Sequence, residues 1–576
     1  MLAVIILCIL VTWLVCGAVC IGIGGLLLRG LGFAFGPLDA LWTGVALIAA
    51  ILQIYHFFRP IDLLVAYTLV GLGLAGWIWN GATLFQRVFE RREPRWPAVL
   101  LYIPVAAIIA FRAAALGYHY DTGLYGAQAV RWFTTYPLVP GLGNLLGQLG
   151  FNSSVFLWIA ALEQGPWNGL AHHLFSGFLI AALFASILPA AARVFRGRNS
   201  SRIDWFFTLL FVPAAIWAAT GKIVGTNTDL PTSVVCLAGA AMLFRALDEE
   251  SSPPSTSDSR RISLVIAMAL FSVAVTFKVS SLVFASVGWT IACLKLWSVS
   301  RSAPSGKRQL GWAVILSAVI VLPWIGRGLV LTGYPLFPST ELSIPVDWKV
   351  PAFETQGQAD VARSFARVPE TTYEYTYGWN WLRPWFRELV REREGFLIPM
   401  FFALAGCVAG IIRTAREKRS AFPQWLWLLA PSLAGLIFWF LKAPALRFGE
   451  PAIWTAGATL GTLAALHFLD QAGKIRIGLL GLLLMTAWAA HPRLLWGSYF
   501  HPSAGVRTFL RVPQAKLALH QTTSGLTIYV PVETNQCWDA PLPCSPYFKD
   551  GLRLRQPGKL EHGFALQETG TAAKPK

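Results

Sequence analysis

Apolar stretches of about 20 residues recur along this chain, and each is long enough to cross the hydrocarbon core of a bilayer as a helix. They run at 1 to 28, 41 to 57, 61 to 79, 97 to 116, 168 to 192, 203 to 220, 230 to 247, 262 to 283, 285 to 299, 310 to 331, 396 to 413, 424 to 441, 452 to 470 and 476 to 491. This pattern predicts about 14 spans. Backbone polar groups in lipid must pair internally, so runs of this length are helical; the alternating segments of about 10 residues that build a membrane β-barrel do not recur. Composition agrees, with 55% hydrophobic and 13% charged residues over 576 positions, against roughly 25% charged in a soluble domain. The expected fold class is an all-α polytopic membrane protein. Residues 1 to 28 lack the basic start of a cleaved signal peptide and read as a retained helix.

The formal charge of +18, from 47 basic and 29 acidic residues, invites a nucleic-acid reading. Its distribution argues for no nucleic-acid partner, because the basic residues gather in short loops between apolar runs, the positive-inside pattern of topology. Such loops carry Arg87, Arg91, Arg92 and Arg95; Arg193, Arg196, Arg198 and Arg202; Lys307 and Arg308; Arg413, Arg416, Lys418 and Arg419; and Lys474 and Arg476. With the spans above, all fall on one side. The Ser/Pro-rich connection from Asp248 to Arg261 falls there too, without a charge bias of its own. The opposite, external side then holds 117 to 167, 221 to 229, 332 to 395, 442 to 451 and everything from 492.

The chain thus divides into N-terminal transmembrane helices at 1–96, a transmembrane domain at 97–491 with external loops 117–167 and 332–395, and an external C-terminal region at 492–576. In the last, LTIYVPV reads as a buried strand and LRLR as a short alternating one, which predicts a small α/β or β-rich cap. Cys8, Cys16, Cys20, Cys236, Cys293 and Cys407 lie in apolar runs as small hydrophobes. Cys537 and Cys544 flank a short polar loop, and an oxidising external compartment would allow them to form a disulfide.

The first external loop, GYHYDTGLYGAQAVRWFTTYPLVPGLGNLLGQLGFNSS, is chemically rich for a connector. Asp121 sits among Tyr118, His119, Tyr120 and Tyr125, where a carboxylate can act as a base on a hydroxyl or help hold a divalent cation. Thr122 to Thr134 has the spacing of an interfacial helix bearing Arg131. A capping role for Asp121, with the tyrosines as an interfacial belt, explains the same residues. Asp229 in GTNTDLP stands where a helix cap is expected. Lys278 is set in the apolar run AVTFKVSSLVF, where it must snorkel or meet an anion. Arg327 and Arg447 lie near external helix ends, Arg447 with Lys442 and Glu450 close by. Because a guanidinium can donate two hydrogen bonds to one phosphate, Lys278, Arg327 and Arg447 together suggest an external anion site. The aromatic stretch TTYEYTYGWNWLRPWF suits either sugar stacking or headgroup anchoring. His172 and His173 have no metal-motif partners and read as structural.

An Asp in the first large external loop, a helix after it, a second polar motif before a later span and arginines at external helix ends resemble the GT-C superfamily of membrane glycosyltransferases. More closely, YHYDTGLYGAQAVRW, PLVPGLGNLLGQLGFNSS, TDLP, GYPLFP, RFG and QCWDAPLPCSPY resemble an uncharacterised, GT-C-like family of bacterial polytopic membrane proteins, over roughly residues 97 to 565. This resemblance implies a GT-C-like fold and a bacterial inner-membrane location. It also implies transfer of a sugar from a polyprenyl-phosphate-type lipid donor to an unknown glycan, lipid or protein acceptor, with Asp121 as base or metal ligand. Tyr120, Arg131, Asp229, Lys278, Arg327 and Arg447 are the substrate-binding candidates. Asp121 is followed by Thr rather than a second acid, so the acidic pair of many GT-C members is missing and the need for a divalent cation stays open. A surface-polysaccharide polymerase or ligase, or a transporter or flippase, are the alternatives, although neither internal repeats nor midplane helix breaks stand out in the sequence.

Overall fold

The computed structural model describes residues 2–567 except 90–95, 115–118, 198–199, 249–256, 302–303, 417–422, 470–472, 483–485 and 487–510. Tyr118, part of the basic loops near 90–95 and 417–422, most of the Ser/Pro-rich connection and the start of the C-terminal region lie outside the described residues.

Four helices open the chain: α1 (Leu2–Gly30), α2 (Pro37–His56), α3 (Leu63–Phe89) and α4 (Trp96–Ala113). Three short ones follow, α5 (Ala127–Thr135), α6 (Leu142–Leu145) and α7 (Val155–Leu162). The middle of the chain forms α8 (Phe175–Arg196), α9 (Arg202–Leu209), α10 (Phe211–Ala219), α11 (Asp229–Asp248), α12 (Ser257–Phe277), α13 (Leu282–Ser300) and α14 (Pro304–Thr332). A long connection carries α15 (Ala352–Arg367) and α16 (Leu382–Arg391), and it leads to α17 (Arg393–Arg416), α18 (Leu429–Lys442) and α19 (Leu446–Phe468).

Eleven helices among the described residues are long and apolar enough to cross a membrane, counting α9 and α10 as one span. The chain is thus a multi-pass membrane protein, with fewer such helices than the apolar runs suggest. The three shortfalls have separate causes. Helix α4 offers a shorter apolar length, Val99–Ala113. Helix α19 spans 23 residues, but Arg447, Glu450, Thr455, Thr459 and Thr462 dilute its apolar character. The run from 476 is helical to 482 and then passes out of the described residues.

Two helix breaks shape the bundle, one in the middle of a span and one at the polar end. Pro213 has no N–H to donate to Leu209, which separates α9 from α10 at Leu210. The expected run at 262 to 283 instead ends at Phe277, because Lys278 adopts an extended backbone (φ −158°, ψ 128°) and a single 3-10 turn at Val279–Ser281 leads into α13. Lys278 is therefore at a break between spans rather than inside one.

Helices α11 and α12 pack on each other and are buried almost all round, as expected for helices that are apolar or small on every face. One apolar core runs from Ile9 in α1 to Phe564 near the C-terminus. The C-terminal region contains two antiparallel hairpins, β1 (Leu517–Gln521) with β2 (Thr527–Pro531) and β3 (Leu552–Leu554) with β4 (Phe564–Leu566). In the first, Leu519 lies opposite Tyr529. Cys537 and Cys544 are joined by a disulfide, whose loop packs with Leu517 and Tyr529.

Candidate functional site

The segment that carries Asp121 is not the interfacial helix its spacing suggests. A π-helical turn at Thr122–Gly126 leads into α5, and most of the helix from Thr122 to Phe133 is buried under other protein. What covers it is the disulfide loop of the C-terminal region. The Trp538 backbone N–H donates to the Gly123 carbonyl at 2.9 Å. Gln128 Nε2 donates to the carbonyls of Trp538 (3.0 Å) and Ala540 (2.9 Å), and Gln536 Nε2 to that of Tyr120 (2.9 Å). Arg131 binds the Asp539 carboxylate at 2.9 Å, so its guanidinium serves this docking. Tyr120 is exposed at the edge of the same contact.

On its other side the turn meets the GTNTD motif. The Thr226 backbone N–H donates to Thr122 Oγ1 at 3.1 Å. Glycine is required at both facing positions: a side chain on Gly126 would collide with the Thr226 hydroxyl, and Gly225 has a left-handed backbone (φ +94°) where a Cβ would sit 2.5 Å from Thr122 Oγ1. This close packing brings two segments a hundred residues apart side by side, and with them Asp121 and Asp229.

Asp229 opens α11, its backbone N–H accepted by Asn227 Oδ1 at 2.7 Å. Its buried carboxylate is occupied by two cations, one from the break after α12 and one from α19. Lys278 Nζ, freed by the break after α12, makes a very short ion pair with Oδ1. Arg447, in the first turn of α19, approaches Oδ2 to 3.9 Å, too far for a hydrogen bond. The guanidinium therefore keeps donors for another anion. Phe448 lies under both cations, 4.3 Å from Lys278 Nζ and 4.9 Å from the Arg447 guanidinium carbon.

His119 joins the two acids. Its Nε2 is 3.3 Å from Arg447 Nη1 and its Nδ1 3.5 Å from Asp121 Oδ2. Burial holds the imidazole below its ordinary value, Arg447 adds to this, and the nearby carboxylates oppose it. The Asp121 side chain makes no capping hydrogen bond to the helix it precedes. Asp121, His119, Arg447, Asp229 and Lys278 form one connected cluster.

Arg447 also lines a cavity of about 740 Å3, within the roughly 300–1,000 Å3 of small-molecule sites. Its walls come from the ends of α4, α10, α15 and α19, from α16, and from the start of α17. Lys222 and Glu450 pair across it at 2.8 Å. Burial draws the Lys222 ammonium down, but Glu450, with Asp229 and Glu392 adding to it, holds it above its ordinary value.

Of the cations expected to make an anion site, Lys278 and Arg447 meet and Arg327 does not join them. Arg327 is fully buried in α14, donating to Asn152 Oδ1 at 3.1 Å and facing His56 Nδ1 at 2.6 Å. It ties α14 to α2 and to the loop before α7. Asp229 already has two cationic partners, and among the described residues no three His, Cys, Asp or Glu side chains gather as ligands. The described side chains around Asp121 and Asp229 do not fit a resident divalent cation. Lys222 and the cavity have no signal in the sequence, and His119, two residues from Asp121, reads there only as part of the frame around it, because its partner Arg447 is 328 residues away.

Fold and site together define a multi-pass helical membrane protein with a buried acid, histidine and cation cluster beside a cavity at one end of the bundle. No curated protein and no solved structure matches the chain. Residues 6–454 match the family described as a domain of unknown function, DUF8201, and the chain belongs to that family.

Proposed function

We propose that the protein is a membrane glycosyltransferase of GT-C type, moving a sugar from a polyprenyl-phosphate-type lipid donor to an acceptor on the external face of a bacterial inner membrane. The observation that carries this reading is the convergence of Asp121 and His119 with Arg447, which has donors to spare and borders a cavity of substrate size. In the reaction, the acceptor hydroxyl attacks the anomeric carbon. The bond from that carbon to the phosphate oxygen breaks, and the lipid phosphate leaves with the electron pair. The acceptor proton passes to the Asp121 carboxylate. Arg447, with Lys278 behind it, stabilises the charge that grows on the departing phosphate, a preorganised electrostatic role. His119 holds Asp121 and Arg447 in register.

The test is to reconstitute the purified protein in liposomes with polyprenyl-phosphate-linked and, separately, nucleotide-linked sugars. Release of polyprenyl phosphate with sugar appearing on an added acceptor supports the reading. Turnover of nucleotide-linked sugars alone contradicts it.

A further inference from the structure

Helix α16, LRPWFRELVR, carries three separate stripes at a spacing of four residues. Trp385 and Leu389 face inward: the Trp385 indole donates to the Pro444 carbonyl at 2.7 Å, and both side chains line the cavity. Leu382, Phe386 and Val390 face outward and are exposed, Phe386 by 58%. Arg383, Arg387 and Arg391 form the third stripe and are exposed as well. Arg391 pairs with Glu388, whereas Arg383 and Arg387 have no ion-pair partner among the described residues. An apolar stripe open to its surroundings and flanked by unneutralised arginines is costly in water and suits a bilayer surface, where the apolar side chains enter the acyl boundary and the guanidinium groups reach phosphates.

The position of α16 supplies the second observation. Helix α17 starts two residues after α16 ends, and it is a span with large apolar side chains exposed from its first turns: Leu397, Met400, Phe401 and Leu404. Those side chains need lipid around them. The chain therefore reaches the membrane surface at α16, and the exposed stripe of α16 is level with the headgroups.

We infer that α16 is an interfacial helix that docks on anionic phospholipid, with Arg383 and Arg387 holding headgroup phosphates. Its outer face meets lipid while its inner face walls the cavity, so one helix separates the bilayer from the site. This does not depend on what reaction the cavity serves.

The experiment places the photoreactive residue benzoylphenylalanine at Phe386 of the full-length protein, in nanodiscs of equal parts phosphatidylcholine and phosphatidylglycerol. A probe at Val532, exposed in the C-terminal region, is the comparison. Crosslinked lipids are identified by mass. Phospholipid adducts at Phe386 should exceed those at Val532, with phosphatidylglycerol favoured by roughly fivefold or more. The same probe in an Arg383→Gln, Arg387→Gln background should still capture lipid, but with the preference reduced to near equality. Lipid capture no greater than at Val532, equal capture of the two lipids by the parent, or a preference that survives both substitutions would overturn the inference.

Discussion

His119 stands between Arg447 and Asp121, with a donor at each ring nitrogen. Arg447 Nη1 lies 3.3 Å from Nε2, and the Asp121 backbone N–H donates to Nδ1 at 3.3 Å, with the Asp121 carboxylate 3.5 Å from the same nitrogen. A neutral imidazole accepts at one nitrogen only, so the ring can serve Arg447 or the Asp121 backbone but not both, and its tautomer couples Arg447 to Asp121.

This relay sets a pH dependence. The histidine is held below its ordinary value of 6.5, so it is neutral at neutral pH, and protonation, which breaks the contact with Arg447, begins only on acidification below that value. Turnover should be flat around neutrality with an acid limb below 6.5. His119→Gln, which cannot titrate, should abolish that limb or move it to lower pH. An unchanged limb in a folded His119→Gln protein would remove the histidine from the relay.

The pair of Asp229 and Lys278 should be coupled in stability. Asp229→Asn leaves a half-buried ammonium without its main counterion, a change that costs about 3–5 kcal/mol when a buried pair is broken. Adding Lys278→Met removes the orphaned charge and should recover much of the loss. Thermal unfolding of the two single variants and the double variant gives the coupling energy; additive effects would show that the ion pair contributes nothing of its own.

The disulfide loop should hold the Asp121 segment in place. With Cys537→Ser and Cys544→Ser together, Trp538 and Gln536 lose their fixed positions over Gly123 and Tyr120. Hydrogen exchange should then speed up across residues 120 to 131 while α11 and α12 stay protected. Equal protection with and without the disulfide would show that the loop docks by its other contacts alone.

Glu163 gives the protein a second pH response, one of stability. Burial pushes its carboxyl up to about 7, against the backbone N–H groups of Gly169 and Ala171, which favour the ionised form. With the folded value above the ordinary 4.5, the folded state binds the proton more tightly. Its stabilising contribution is complete below 4.5 and is lost as pH rises through about 7. Melting temperature should fall over that window in the parent, and Glu163→Gln should flatten the slope.

How far the sequence speaks for the structure depends on the range of the forces involved. Hydropathy is a local property, so the spans and the strand LTIYVPV, now β2, were legible. The interfacial reading of Thr122 to Thr134 was also local, and it went wrong because the cover over that helix comes from Gln536, Trp538 and Asp539, about 400 residues on. Lys278 looked like a buried lysine because a backbone break leaves no mark on an apolar run. Lys278 and Arg447 were recognisable as cations needing an anion, but Asp229 as their common partner was not, since its position at a helix start has an ordinary capping explanation. Arg327 shows the reverse: a guanidinium that reads equally as a cation in need of an anion is held instead by His56 and Asn152.

The most direct test is sugar transfer by Asp121→Asn beside the parent protein, each reconstituted with the lipid-phosphate donor. Asparagine keeps the shape and the hydrogen-bonding capacity of aspartate but has no basicity, so melting temperature should be preserved. General-base catalysis contributes about 100-fold to 10,000-fold, and turnover should fall by a factor of that order. A normally folded Asp121→Asn protein that transfers sugar at the parent rate would contradict the assignment of Asp121 as the base.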